Sequence, residues 1–349
     1  MIKESIRPAQ VIQMGSTQVD NHSAYIIAEM ACAHDGDFSK AKQLVDVAVT
    51  SKADAVQLQF FHAPQNMVKH HRIYPLLEKI EFNREQWAEL VQYGRTCGID
   101  VFACAYDMPS LELAIELKVD GIKFNSADLN NFEMIEVVAA SSIPFTLGTG
   151  ASRMDEIGQA ISIALAAGSN KFVLMHGMQS FPTAVQQANI RRIPALMTAF
   201  DALVGYADHT DADDSFAGEI DLLALGIGAC VFEKHYTLDR SQKGTDYQAA
   251  LNPDELTVYV DRIRTAQNAM GSAIFRNFNN DELKYRTFQK KRIVAAIDME
   301  PGHVLSRNDL LLLRSEDTGG LDAPALEAVI GKKLNYSIKA HQLIKVDFS

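Results

Sequence analysis

Two histidines and two carboxylates are spaced for chemistry in the stretch from Gly205 to Asp246. Asp208 and His209 lie just past the apolar run LVGYA, and Glu233 and His235 lie at the end of the next run, ALGIGACVF. If successive runs are neighbouring parallel strands, their ends lie close together, and side chains distant in sequence can converge on one ligand. Two imidazoles with open positions suit a divalent ion such as Mn²⁺ or Mg²⁺, acting on a substrate, better than a closed structural zinc site. Such an ion would polarise a carbonyl or aldehyde oxygen as a Lewis acid. Each histidine has an acid one or two residues away as a candidate orienting partner. The competing reading is a pair of hydrogen-bonded structural histidines.

The elements that must position these residues are legible as a rhythm from about residue 23 to 272. Apolar runs occur at AYIIAEMA, DAVQLQFF, VFACAY, GIKFNS, IPFTLGTG, FVLMHGM, LVGYAD and ACVFEKH. Segments with helical spacing lie between them, such as FSKAKQLVDVAVTSK and MDEIGQAISIALAAG. The runs are too continuous for a half-exposed antiparallel sheet, and the eightfold alternation predicts an α/β fold, a (β/α)8 TIM barrel. Helix starts are expected at Asp37, Asn83 and Ser152, and stops at Gly98 and Gly168. Residues 1–22 are expected as a hairpin or cap and 273–290 as a polar linker. Residues 291–349, with short runs RIVAAI, HVLS, LLLL and LIKV between turn signals, are expected as a small, mostly β domain.

Composition bounds the partners. The formal charge of −11 over 349 residues argues against nucleic acid, which needs a basic face. No apolar run approaches the roughly 20 residues of a membrane span, and MIKESIRPAQ lacks the apolar core of a signal peptide. Cys32, Cys97, Cys104 and Cys230 have no metal-type spacing and read as reduced thiols. The expectation is a cytoplasmic protein acting on small molecules.

In a barrel, the C-terminal ends of the runs line one mouth. They bring together Glu29 and His34, Gln57 and Gln59, Cys104 to Asp107, Lys123 to Asp128, Thr149, His176 to Phe181, Asp208 and His209, and Glu233 and His235. Charges that gather on an apolar scaffold need a ligand, a metal or one another. Lys123 suits an anionic substrate, a Schiff base or a plain salt bridge to Asp128.

These motifs, in this order, resemble the N-acetylneuraminate (sialic acid) synthases and their relatives that make pseudaminic and legionaminic acids, spore coat polysaccharide biosynthesis proteins of the E type included. IIAEMACAHDGD, IKFNSADLNN, HGMQSFPT, GYADHT, EKHYTLDR and KGTD each have a counterpart there, and EPGHVLSRNDLLLLR with VIGKKL resembles that family's antifreeze-like (SAF) domain. The resemblance implies condensation of phosphoenolpyruvate with the aldehyde of an N-acetylated amino sugar. It further implies His209 and His235 as metal ligands. Glu29, Glu233 and Asp246 would lie around the metal, its water and the acceptor, with Lys123 and Ser126 on the donor. Gln57, Gln59, Asp128, Gln179 and Phe181 complete the expected substrate site. Arg314 of the small domain would reach the mouth of the partner subunit in a domain-swapped homodimer.

The departures from the family pattern are concentrated. Gln57 stands for the lysine of VKxQ, Ala105 for the threonine of STP with Tyr106 after it, and Gly148 for the serine of STG. Gln179 stands for an asparagine, Phe181 for a tyrosine and Ala207 for the serine of SDHT. In that family these positions cradle the donor, chiefly its phosphate, through charge-assisted bonds worth roughly 1.5–3 kcal/mol each. Three readings remain open here. The chain is a synthase that keeps phosphoenolpyruvate through Lys123, Ser126 and backbone donors; a metal-dependent aldol-type enzyme with a changed, non-phosphorylated donor; or a paralogue without catalysis.

Overall fold

The computed structural model describes residues 7–275 and 278–348. The chain forms two compact units, the first ending at Gly271 and the second beginning at Ser272. A short antiparallel hairpin, β1 (Ile12–Met14) and β2 (Thr17–Val19), opens the first unit. The hairpin lies within the interval expected as a cap, of which residues 1–6 fall outside the described residues.

Eight parallel strands then close into a barrel: β3 (Tyr25–Glu29), β4 (Ala55–Phe60), β5 (Asp100–Ala105), β6 (Gly121–Phe124), β7 (Phe145–Gly148), β8 (Phe172–His176), β9 (Val204–Asp208) and β10 (Val231–His235). They follow one another in chain order around the barrel, and β10 pairs with β3. The helices between and after them are α1 (Phe38–Thr50), α2 (Ala63–Asn66), α3 (Tyr74–Ile80), α4 (Arg84–Thr96), α5 (Met108–Glu116), α6 (Phe132–Ser141), α7 (Met154–Ala166), α8 (Arg192–Phe200), α9 (Ala217–Gly226) and α10 (Pro253–Met270). The architecture is a (β/α)8 barrel, as the alternation of runs and helices predicts.

Because a strand alternates its side chains, one sequence parity faces the barrel interior and the other faces the helices. Two separate apolar clusters record this division. The interior holds Tyr25, Ile27, Ala55, Phe102, Val173, Met175, Ala207 and Val231, closed below by Ile12, Met14 and Val19 of the hairpin. The outer layer holds Ile26, Val56, Leu58, Ala103, Ala105, Phe124, Leu174 and Phe232 against the helices. Asp100 ties the hairpin in place, accepting from the Ser16 amide at 3.0 Å and the Tyr25 hydroxyl at 2.8 Å. Glycine matters at one interior point: a Cβ on Gly121 would lie 2.2 Å from the Phe102 ring, so the absent side chain makes room for it.

Asp37 and Asn83 cap α1 and α4 as expected, the latter in a reciprocal box with Gln86. Helix α7 is capped one residue later than expected, at Arg153 and not Ser152. The reason is Glu156, whose carboxylate accepts the Arg153 amide at 2.8 Å and fixes the first turn from within. Gly98 and Gly168 have positive φ just past α4 and α7, where the chain leaves the helix.

In the second unit, the interval read as a linker holds helix α11 (Asn280–Gln289), capped by Asn279 with Glu282 and burying none of its side chains. Without an apolar stripe it carries no helical period to read. An antiparallel pair, β11 (Arg292–Ala295) and β12 (Leu310–Leu313), and the short helix α12 (Leu326–Val329) enclose a small core. Ile293, Leu305, Leu310, Leu334 and Ile344 form its centre. Among the described residues no helix is long and apolar enough to cross a membrane.

Gly121→Ala is expected to lower stability by about 1–3 kcal/mol through overpacking, read as a shifted urea midpoint. Adding Phe102→Leu should recover part of that loss. A Gly121→Ala protein as stable as the parent, or additive losses in the pair, would show that the two residues do not share this space.

Candidate functional site

The strand register assembles the site. His235 lies beside Glu29, Glu29 beside Gln57, Gln59 beside Cys104, and Cys104 beside Lys123. All belong to the inward parity, so the polar ends of β3, β4, β5, β6 and β10 meet above the interior apolar layer. Glu29, Gln57, Glu233 and His235 are buried despite being polar.

Lys123 is the hub. Its ammonium is paired with the Glu233 carboxylate and lies 3.6 Å from Glu29. The Gln57 amide donates to Glu29 and, at 3.2 Å, to Glu233, while Gln59 donates to Glu29 at 3.3 Å. The Ala31 amide adds a fourth contact to Glu29 at 2.7 Å. Burial raises the Glu29 carboxyl to about 7, with the neighbouring Glu233 adding to the rise and Lys123 opposing it. Burial alone would lower the Lys123 ammonium, but Glu233 and Glu29 outweigh it and hold the amine protonated. The expected alternative pairing of Lys123 with Asp128 is not made. Asp128 lies half-buried in the turn after β6, where burial and then the charge of Asp107 raise it to about 6.

His209, Glu233 and His235 each offer a ligand atom, and these atoms lie within 4.8 Å of one another. The two imidazole rings are 5.3 Å apart, and the Phe181 ring packs 4.2 Å from His209. His209 is held by the Met178 carbonyl, 2.6 Å from Nδ1, which leaves Nε2 as its open nitrogen. Burial lowers both histidines below the ordinary range, His235 further because His209 and Lys123 face it. Neutral imidazoles beside a carboxylate form a donor set that could hold a divalent cation.

The cavity above this set is lined by Gln59, Lys123, Ser126, Gln179, Phe181 and Asp246, among others. The Gln179 amide donates to the Ser126 hydroxyl at 3.2 Å, and Asn125 donates to the Tyr106 hydroxyl at 3.2 Å. Burial raises the Asp246 carboxyl. Several expected mouth residues lie elsewhere. His34 packs against Phe82 and Trp87, and His176 donates from Nε2 to the Ala188 carbonyl at 2.9 Å on the helix side. Ala105 faces the outer core, because strand alternation turns Cys104 and Tyr106 inward. Arg314 is an exposed residue just after β12 in the second unit.

One charged group escaped the sequence reading. Lys234, between the inward Glu233 and His235, points to the helix layer, where it pairs with Asp208 and lies 3.7 Å from Asp221. Asp208 also accepts from Thr210 at 2.6 Å and Tyr206 at 2.9 Å, so it does not orient His209. The signal was available: a lysine flanked by two inward residues must face outward and needs a buried acid of outward parity.

A family model described as the NeuB family matches residues 44–275. This chain belongs to the NeuB family. It is 30% identical over 336 residues to N,N'-diacetyllegionaminic acid synthase of Campylobacter jejuni, covering 92% of this chain and 98% of that protein. Human N-acetylneuraminate-9-phosphate synthase is 27% identical over 337 residues, covering 93% of this chain and 92% of that protein. Among solved structures, the N-acetylneuraminic acid synthetase of Leptospira borgpetersenii superposes with a TM-score of 0.73 at 29% identity, over 80% of this chain and 97% of that one. The NeuB-family relatives are named synthases, and this chain is an enzyme of that type.

The Glu29 shift has a sign that can be measured. Its carboxyl holds its proton to about 7 when folded, against an ordinary 4.5. Its contribution to stability is therefore full below the ordinary value and is lost as pH rises through 7. In chelator-treated protein, Glu29→Gln should gain stability relative to the parent between pH 5 and pH 8, by on the order of 2–3 kcal/mol. Urea melts at the two values read it, and a pH-independent difference would place Glu29 outside this buried environment.

Proposed function

We propose that the barrel unit condenses phosphoenolpyruvate with the open-chain aldehyde of an N-acetylated amino sugar, giving a nonulosonic acid for surface polysaccharide and releasing phosphate. The observation that carries this reading is the single chamber in which His209, Glu233 and His235 converge next to the Lys123–Glu29 pair. The named activities of the relatives support it. A divalent cation, Mn²⁺ or Mg²⁺, held by His209 and His235 with Glu233 nearby, would supply Lewis-acid polarisation of the acceptor carbonyl.

The protein's own groups do the rest. Lys123, kept charged by its two carboxylates, receives the donor's carboxylate. Glu29 holds a proton near neutrality and can release or take it as the acceptor oxygen changes charge. Asp246, at the cavity edge, binds acceptor hydroxyls. Ser126 and Gln179 fix the donor end, and Phe181 shields His209 from water. We read the second unit as an antifreeze-like domain whose Arg314 reaches the acceptor in the partner's mouth, which makes the active form a domain-swapped homodimer. The exposure of Arg314 and its place after β12 are compatible with that reach.

Mn²⁺ at about 100 times its Kd should stabilise the parent by about 2.7 kcal/mol, read as a rise in melting temperature, and His209→Ala or His235→Ala should abolish the rise. A parent protein whose melting is unchanged by both Mn²⁺ and Mg²⁺ would refute the metal site. Arg314→Ala should raise KM for the acceptor more than for the donor. An equal effect on both, or none, removes Arg314 from the site.

A further inference from the structure

Behind the two histidines lies a second charge cluster, and it faces away from the mouth. Asp208 ends β9 and Lys234 sits opposite it on β10, so their side chains form a cross-strand pair on the outer face of the barrel. The next residue along each chain is a histidine of the mouth, His209 after Asp208 and His235 after Lys234. Successive side chains of a strand point to opposite faces, so whatever fixes the outer pair also fixes the inner one. A slip of β9 against β10 would break the first and separate the second.

Asp208 also shapes the backbone of His209. Its Oδ1 accepts from the Tyr206 hydroxyl at 2.9 Å and the Thr210 amide at 3.2 Å, and its Oδ2 accepts from the Thr210 hydroxyl at 2.6 Å and from Lys234. The carboxylate reaches across His209 to Thr210 and closes a turn around it. The Thr183 amide holds the His209 carbonyl at 2.7 Å from the neighbouring loop.

Lys234 is enclosed on the other side. It is 1% exposed, and its ammonium lies 3.7 Å from Asp221 of α9 and 5.5 Å from the ring centre of Tyr259 of α10. The Tyr259 hydroxyl donates to one Asp221 oxygen at 2.9 Å, and the other Asp221 oxygen is buried without a hydrogen-bond partner. What Asp221 gives the cluster is its place beside the ammonium. Stability does not account for such a group. A buried ion pair can often be exchanged for apolar side chains of similar volume at no loss, whereas deleting one partner is costly. What the pair has and apolar packing lacks is direction.

We propose that the Asp208–Lys234 pair, braced by Asp221 and Tyr259, is a positioning device for the metal site: it locks β9 against β10 and the turn around His209, and so sets the spacing at which His209 and His235 present their nitrogens. This rests on the metal reading above. Neither Asp208 nor Lys234 touches the ion; each acts through the histidine that follows it.

The test separates positioning from plain stability. Full-length, chelator-treated parent, Lys234→Met and the double variant Asp208→Asn with Lys234→Met are compared by urea melting and by calorimetric titration with Mn²⁺. Lys234→Met strands a buried carboxylate and should lose both stability and affinity. The double variant leaves no unpaired charge, so its urea midpoint should return toward the parent's while its Mn²⁺ Kd stays about 10–100-fold weaker. A double variant with the parental midpoint and the parental Kd overturns the inference. If its midpoint does not return, Asp221→Asn decides: this change touches neither strand end, and a Kd moved in the same direction supports the device, whereas an unchanged Kd overturns it. A parent that binds neither Mn²⁺ nor Mg²⁺ overturns the metal reading, and the inference with it.

Discussion

The ammonium of Lys123 allows Glu29 and Glu233 to occupy the floor of one barrel mouth. Without it, two carboxylates this close in a buried place would repel, and Glu29 would hold its proton more strongly still. The lysine comes from β6, the acids from β3 and β10, so the pairing binds opposite sides of the barrel through a single charge. Gln57 and Gln59 extend the arrangement with neutral donors to the same carboxylates. The availability of Lys123 for a ligand follows from this one contact, which also opposes the rise that burial imposes on the Glu29 carboxyl. Removing one member of a buried ionic group usually costs more than the group adds to stability, which makes its partners interdependent.

The fold was legible because the barrel writes itself into the chain as a repeating unit. Each run is apolar on both faces, and each is followed by a helix with a readable stripe, so eight repeats of a weak signal reinforce one another. The histidine pair was legible for a related reason: His209 and His235 occupy the same place in successive repeats. What failed was parity and distance. Ala105, expected at the mouth, faces the helices because its neighbour Cys104 shares the inward parity of Phe102, and one residue along a strand moves a side chain to the other face of the sheet. Lys123 was weighed against Asp128, five residues away, whereas its partner Glu233 lies 110 residues along the chain. Helix α11 escaped because a helix that buries nothing has no period.

The last barrel strand carries ionisable groups on both faces. Glu233 and His235 point into the mouth, while Lys234 between them joins Asp208, next to His209, in the helix layer. Tyr206, Thr210 and Asp208 are connected by hydrogen bonds in that layer, and Tyr259 reaches Asp221 at 2.9 Å. Rotating either strand to improve one face would break the other. The two histidines are thereby held at a fixed depth by contacts that never touch a ligand, an arrangement typical of sites whose precision depends on the layer behind them.

The hairpin beneath the barrel gives the chamber a single door. Ile12, Met14 and Val19 fill the lower opening together with Tyr25 and Phe102, so nothing passes through that end. On the proposed condensation, a donor held against Lys123 would have to enter before an acceptor held near Asp246. The larger partner then acts as a stopper on the smaller one. Such a vessel imposes a queue: the order of arrival is set by architecture, and the joined product has to clear the doorway before the next small molecule can reach the floor.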